Sequence, residues 1–481
     1  MTSAQARLIE TVTQRFGVKA AITDAQDIEP WTIDWRGRFR GVAAAILAPA
    51  STEEAAAIVR LAAEAGVALV PQGGNTGMVG GATPPADGSA LILSTRRMNR
   101  IRSLSAQDNL AVAEAGVILS TLHDAALAVG RRFPLTLGAK GSATIGGLVS
   151  TNAGGTQVLR FGTMRSLVAG VEAVLPDGSI HDGLAALKKD NRGYDLSQLL
   201  IGAEGTLGII TAATLRLVPA VAARAVAWAG VESPHAALAL LRAMEARTDA
   251  VESFEIVPAR ALDMVLQHVP GTRAPLAMDF PWHVLVEAVA ADAADAPGAL
   301  LEQLLGDALE QGLVQDVVIA ANEAQAEAFW RIRDGIAEAE RAHGPAVQHD
   351  ISVPVSDMPR FMVEGGAEAE RRFPGTEAVA FGHLGDGNVH FHLRAPAGTE
   401  RERWYAEVAP QITRLVHDMV VAAGGSISAE HGIGQLKRDE LARLSPPSRI
   451  AALKAIKHAL DPQGLFNPGK IVALAPEPAA P

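Results

Sequence analysis

The sequence predicts an α+β protein of two domains and a C-terminal segment. Three observations carry this. The chain has 481 residues, too many for one hydrophobic core. Residues 42–220 alternate short apolar strands with helices and hold most of the glycine clusters. From about residue 221 the texture changes to longer amphipathic helices between strands of two-residue period. The boundaries read as 1–220, 221–425 and 426–481.

Taken in order, "MTSAQARLIETVTQRFG" is an amphipathic helix, without the continuous apolar core of a signal peptide. "GVAAAILAPAS" is a strand ending in a turn. "STEEAAAIVRLAAEAG" is a helix with a Ser51 cap, acids in its first turn and a stop at Gly66. "VALVPQGG" is the next strand. "TLGAKGSATIGGLVSTNAGGT" is too rich in glycine and alanine for a regular helix or strand interior. "VAGVEAVLPDGSI" is a hairpin about Asp177-Gly178, and "LGIITAATLRLVP" reads as a strand pair. In the second region "SPHAALALLRAMEAR", "DAPGALLEQLLGDALEQG" and "EAQAEAFWRIRDGIAEAERAHG" are helices, while "VESFEIV" and "FPWHVLVEAVA" alternate as strands. "VAFGH" and "VHFHL" are two strands around the turn "LGDGN". The end, "LARLSPPSRIAALKAIKHALDPQGLFNPGKI", is helical and then irregular, and the Pro/Ala-rich tail 474–481 is expected to be disordered.

Composition excludes several function classes. Apolar residues are 48% and charged residues 20%, as in a soluble globular protein. The net charge of −11 argues against a nucleic-acid or anionic-membrane surface. Cysteine is absent, which removes disulfides, Cys-ligated zinc, iron–sulfur clusters and thiol catalysis. No stretch approaches the roughly 18 apolar residues of a membrane span, so a cytoplasmic location is the expectation.

Two glycine clusters, about 65 residues apart, suggest a ligand. "PQGGNTGMVGGATP" puts five glycines, an Asn and two Thr after a strand. Glycine permits positive φ and lets backbone N–H groups approach an anion, so a phosphate or pyrophosphate is the natural ligand. It is neither a P-loop nor the Rossmann fingerprint. With "LGAKGSATIGGLVSTNAGGTQVLRFGTMRSLV" it suggests an extended dinucleotide held by backbone from several loops.

Three histidines of the chain's thirteen fall within ten positions of "GHLGDGNVHFHL". Strand alternation puts His390 and His392 on one face, opposite Val389 and Phe391, and the turn can fold His383 back toward His390. Such a pair can bind a divalent metal that finds a further ligand, or it can be a polar strand face. Glu430 and His431 stand together in "SAEHGIG". On the helix 323–344, Phe329, Ile332 and Ile336 share one face and Trp330, Arg333 and Ala337 another, with Arg331 expected in solvent.

"PQGGNTGMVGG", "GSATIGGLVSTNAGG", "RFGTMRSLVAGVEAVLPDGS", "GYDLSQLLIGAEGTLGIIT", "GHLGDGNVH", "SAEHGIG" and "LFNPGKI" resemble, in this order, the vanillyl-alcohol oxidase / p-cresol methylhydroxylase family of flavoproteins. Within it the chain resembles the FAD-dependent D-2-hydroxyacid dehydrogenases, those acting on D-2-hydroxyglutarate and D-lactate above all. The match covers roughly residues 30–472. It implies a two-subdomain FAD-binding domain of the p-cresol methylhydroxylase type, an α+β substrate domain with an antiparallel sheet, and a C-terminal segment returning to the FAD domain.

The resemblance implies FAD contacts at Pro71, Gly73, Gly74, Asn75, Thr76, Gly77 and Gly80, then at Pro134, Gly138, Ser142, Thr144, Ile145, Gly147, Thr151, Asn152, Ala153 and Gly155, and at Glu204, Gly208, Ile210 and Asn467. Some relatives carry, where this chain has Asn75, a histidine bonded to the flavin, so noncovalent FAD is expected. The resemblance further implies that His383, His390 and Glu430 ligate a divalent metal, His431 takes the substrate hydroxyl proton, and Arg333 clamps the C1 carboxylate while hydride leaves C2 for flavin N5. A His₂Glu set suits Zn²⁺, with Mn²⁺, Co²⁺ and Fe²⁺ as alternatives.

Three positions that would face the substrate depart from the hydroxyglutarate enzymes: Ala337 stands where relatives carry Thr, Gln348 where they carry Lys, and His392 where they carry Asn. That opens monocarboxylic or bulkier 2-hydroxy acids as alternative substrates. A metallohydrolase using His383, His390 and Glu430 is the alternative of another class, but it leaves the glycine clusters unexplained. The electron acceptor is expected to be external, an electron-transfer flavoprotein, quinone or cytochrome, and a homodimer is the expected assembly.

Overall fold

The computed structural model describes residues 1–474, so the tail expected to be disordered lies, from 475 on, outside the described residues. The chain divides into two compact units. One comprises Met1–Gly155, Gly162–Pro219 and the chain from Glu430 onward; the other comprises Thr156–Phe161 and Ala220–Ala429. Among the described residues no helix is long and apolar enough to cross a membrane.

The first unit holds a four-stranded sheet and a five-stranded sheet. In the former, Ile46–Leu47 and Ala68–Gln72 both run parallel to Ala90–Ser94, and Ala21–Ile22 closes the edge antiparallel. The helix Thr52–Ala65 forms as its sequence signals require: Ser51 accepts from the Glu54 N–H, and Gly66 ends it at φ 63°. With the N-terminal helix Ser3–Phe16 it buries Leu8, Ile58 and Val59 against Leu69 and Leu93. Phe466 is sealed into the same core, so the C-terminal segment is part of this unit.

The five-stranded sheet is antiparallel, in the order Ile101–Ser105, Leu110–Glu114, Ile209–Arg216, Val168–Val174, Ile180–Asp182. Two expectations are corrected here. "LGIITAATLRLVP" is no strand pair: Ile209–Arg216 is one central strand, and Val218–Pro219 pairs with Arg131–Arg132. No chain reversal lies between Arg216 and Val218, so the two cannot face each other. The second glycine cluster does contain a regular helix, Ile145–Thr151. Glycine inside a helix costs about 1 kcal/mol against alanine, but at 146 it is needed: a Cβ there would stand 2.6 Å from the Ala115 Cβ. Asn152, left-handed at φ 51°, ends the helix.

The second unit is built on a seven-stranded antiparallel sheet. Its order is Asp316–Ile319, Ala223–Val231, Trp282–Ala290, Val251–Pro258, Glu377–His383, Asn388–Arg394, Ala346–Ser352. Phe254, Ile256, Val389 and Phe391 point to one face, beneath helices that include Pro234–Glu245, Pro297–Glu310 and Ala409–Ala422. Val257, Val379 and Phe381 point to the other, against Ala259–His268. The single helix expected over 323–344 is also corrected. It is two, Glu323–Asp334 and Ile336–His343, broken at Gly335, where a Cβ would stand 2.8 Å from the Arg331 carbonyl oxygen. Phe329, Ile332 and Ile336 nevertheless share one core against the sheet.

Candidate active site

In the first unit the two glycine clusters meet around a cavity of about 770 Å³, toward the upper end of the roughly 300–1,000 Å³ usual for small-molecule sites. The loops touch through their glycines. A Cβ at Gly73 would fall 2.2 Å from Thr144 Oγ1, and one at Gly74 1.9 Å from the Ser142 carbonyl oxygen. Asn75 takes φ 53° and anchors the first loop by donating from Nδ2 to the Ile33 carbonyl, 2.8 Å away. Among the described residues the N–H groups of Gly73 to Gly77 find no acceptor. Such a run of unpaired amides is an anion-binding nest. Gln72 Oε1, Thr95 Oγ1 and Thr144 Oγ1 are buried side-chain oxygens of lining residues, likewise without a partner. Native proteins rarely leave such atoms unsatisfied, so the wall is made for a polar ligand.

Fourteen of the twenty-one residues expected at FAD line this cavity: Pro71, Gly73, Gly74, Asn75, Thr76, Gly77, Gly138, Ser142, Thr144, Gly147, Thr151, Ala153, Glu204 and Ile210. Gly80, Pro134, Ile145, Asn152, Gly155, Gly208 and Asn467 stand outside the lining, several of them as braces. Gly155 is pressed against the Thr136 carbonyl, and Gly208 lies close to that of Val174. Asn467 donates from Nδ2 to the carbonyls of Gly81 and Glu204, at 2.9 and 2.7 Å. Trp35, Gln72 and Leu137 line the cavity without having been expected there.

Glu430 and His431 stand in the wall of the same cavity. Their turn is fixed from below by Glu204, whose carboxylate accepts from the N–H groups of Ile433 (2.7 Å) and Gly434 (2.8 Å). Burial pushes the Glu204 carboxyl up, against the pull of those two N–H groups and of Lys437 and Lys470. Gly432, at φ 82°, packs on this carboxylate so closely that a Cβ would meet Oε1 at 2.8 Å. Sequence reading assigned Glu204 to the cofactor. Its observed contacts add a second task, holding the His431 turn.

In the second unit the polar residues gather on one face of the sheet. The hairpin pairs Phe381 with His390 and Val379 with His392. The rings of His383 and His390 lie 5.6 Å apart, centre to centre, and those of His390 and His392 6.3 Å apart. His383 donates from Nδ1 to Glu255 Oε1 at 2.5 Å, and Arg333 Nε donates to Glu255 Oε2 at 2.7 Å. The Arg333 guanidinium also lies over the Phe381 ring, 5.3 Å from its centre. Burial alone would raise the Glu255 carboxyl; the charges of Arg333 and His383 hold it at about 2. It is therefore ionised and can only accept. When His383 gives up its charge, the proton held by this carboxylate stays on Nδ1 and the lone pair falls on Nε2, the arrangement of a metal-ligating histidine backed by a carboxylate. Neither ring nitrogen of His390 is hydrogen-bonded among the described residues. Burial, then the charges of Arg333 and His383, depress its proton affinity well below the ordinary value, so its lone pair is available near neutrality. These two imidazoles suit a divalent cation.

A second buried carboxylate organises the departing positions. Glu340 Oε1 accepts from His392 Nδ1 at 2.7 Å, and its Oε2 from Gln348 Nε2 at 2.9 Å. Ala337, on the same helix, is exposed, and so is Arg331 as expected. Sequence reading missed Glu255, Glu340 and Asp350. All three are buried, and a buried carboxylate needs a facing partner, but their neighbours in sequence are themselves partly polar, so no local pattern marks them. Asp350 is cross-strand to His390 and accepts from Asn388 Nδ2 at 3.0 Å. A further cavity of about 530 Å³, between the loop 271–277 and Glu323–Asp334, includes none of the candidate residues.

Residues 43–183 match the FAD binding domain family, and residues 221–471 match the family described as FAD linked oxidases, C-terminal domain. The chain is 39% identical over 449 residues to D-2-hydroxyglutarate dehydrogenase of Xanthomonas citri pv. viticola, covering 93% of each protein. It is 37% identical over 455 residues to the mitochondrial D-2-hydroxyglutarate dehydrogenase of Bos taurus, covering 94% of this chain and 81% of that one. Among solved structures it shares the fold of p-cresol methylhydroxylase with substrate bound, at a TM-score of 0.73 and 15% identity over 98% of both chains.

Proposed function

The chain belongs to the FAD-linked oxidase family, among its D-2-hydroxyacid dehydrogenases, and from that premise we propose that it oxidises D-2-hydroxyglutarate or a close relative to the 2-oxo acid. The observation that carries the reading is that His431 stands in the wall of the cavity formed by both glycine-rich loops. When bound, FAD supplies the hydride acceptor and a divalent ion lowers the pKa of the substrate hydroxyl. We assign the ion to His383, His390 and Glu430, with zinc preferred by the donor set and manganese, cobalt or iron as alternatives. The Gly73–Gly77 amides hold the FAD pyrophosphate, without a covalent link at Asn75. Arg333 pairs with the C1 carboxylate. His431 accepts the hydroxyl proton on a ring nitrogen. The electrons pass to an external acceptor.

A second reading, a monocarboxylic 2-hydroxy acid, is favoured by one observation. Gln348, where relatives carry Lys, is neutral and already engaged by the Glu340 carboxylate. A second substrate carboxylate finds less positive charge there.

The test is spectroscopic. Purified protein should show flavin absorption bands, and acid precipitation should leave a yellow supernatant. A panel of D- and L-2-hydroxy acids is then added without oxygen. D-acids should bleach the flavin, and hydroxyglutarate against lactate decides between the two readings. Failure of every 2-hydroxy acid of either hand to bleach it would remove the proposal.

A further inference from the structure

Glu255 lies midway along Val251–Pro258, paired across the sheet with His383 on one side and Leu285 on the other, and is fully buried. A buried carboxylate is costly unless its charge is met by good partners. Here the two oxygens are divided between residues of different expected tasks: Oε1 holds the His383 imidazole, Oε2 the Arg333 guanidinium. The two contacts come from different elements, the end of Glu377–His383 and the last turn of Glu323–Asp334.

We propose that Glu255 is a positioning residue which, through one carboxylate, sets both the metal-ligating face of His383 and the carboxylate-binding face of Arg333. This rests on the reading above, in which His383 binds the ion and Arg333 the substrate. On the His383 side the contact fixes the tautomer and turns Nε2 outward as ligand. On the Arg333 side it holds Nε and so fixes the guanidinium plane, which is also steadied over Phe381, and with it the direction from which a carboxylate can be met. A shift of this carboxylate therefore moves both groups together, and ion affinity and substrate affinity are coupled through it.

The experiment uses the full-length FAD-loaded protein and Zn²⁺ as the probe ion. Zn²⁺ affinity is measured by competition with a chromophoric chelator, and KM and kcat for D-2-hydroxyglutarate at saturating Zn²⁺. The Glu255→Gln variant keeps the shape but has only one acceptor oxygen. It should bind Zn²⁺ about 10–100-fold more weakly, as the loss of such a backing contact usually does. KM should rise by a similar factor, with the flavin spectrum unchanged. Glu255→Asp keeps the charge but draws it back from both partners, so it should weaken both affinities less, and it serves if the Gln variant does not fold. Unchanged Zn²⁺ affinity, or a change in only one of the two affinities, overturns the proposal. The His383→Ala variant separates the two levels. If it binds Zn²⁺ like the wild type, the ion assignment itself is wrong. If it loses Zn²⁺ while Glu255→Gln does not, the assignment stands and the role of Glu255 falls.

Discussion

Single residues decide whether the cofactor cavity exists at all. Gly74 is not glycine for flexibility; its φ is not left-handed. It is glycine because the Ser142 carbonyl oxygen stands where its Cβ would be, 1.9 Å away. Backbone cannot swing aside as a side chain can, so Gly74→Ala must drive the two loops apart and spoil the amide nest. FAD content after purification should fall by at least about tenfold, since even about 1.4 kcal/mol of lost binding is that factor. Gly141→Ala, in the second loop but with open space around its Cβ, is the control and should keep its flavin. Wild-type FAD affinity in Gly74→Ala would show that the loop contact is dispensable.

At the scale of elements, much was legible in the sequence, and the limits have a physical cause. Period-two alternation placed His390 and His392 on one face of Asn388–Arg394, and the short turn brought His383 to His390. Local signals sufficed because the partners are near in sequence. Glu255 and Glu340 were not legible because their partners are distant: His383 meets a strand 128 residues earlier, and His392 a helix 52 residues earlier. Alternation says which face a residue takes, but not which strand lies beside it. The break at Gly335 was missed for a related reason, since an isolated glycine within a helical pattern is usually tolerated. The face that Glu340 organises carries the substrate prediction. Gln348→Lys adds a cation to the row that includes His390 and His392. A hydrogen bond to a charged group is worth about 1.5–3 kcal/mol. The kcat/KM ratio of D-2-hydroxyglutarate to D-lactate should therefore rise about tenfold or more. An unchanged ratio, or a shift toward lactate, would mean that this face does not read the distal end of the substrate.

Over the whole molecule, buried carboxylates set the response to acid. Glu114 and the half-buried Glu172 in the first unit and Glu255 and Glu340 in the second all have depressed carboxyls. Burial alone would raise each, but facing partners overcome it: Arg100 and Arg102, then Arg102 with Thr52 and Thr211, then Arg333 and His383, then His392 and Gln348. Glu204, raised by burial, runs the other way. For a depressed carboxyl the unfolded chain binds the proton first as pH falls through the ordinary 4.5. The stabilisation is therefore complete above that value and is lost on the way down to the folded value. For Glu255, displaced from 4.5 to about 2, the amount is about 3 kcal/mol. This is a substantial part of the roughly 5–15 kcal/mol by which domains are stable. The urea midpoint should begin to fall below about pH 6.5, where the unfolded chain protonates first at His123, His283 and His390, all depressed by burial in the folded chain, and should drop more steeply below about 4.5 as the carboxylates join. In Glu255→Gln one titrating group is gone, so the same limb should be shallower even though the variant starts from a lower midpoint at neutral pH. A wild-type midpoint that stays level to about pH 3, or a variant limb as steep as the wild type, would mean that Glu255 is not ionised in the folded protein. His383 could then carry its proton on either nitrogen, and the tautomer that prepares it for the ion would have no source in this carboxylate.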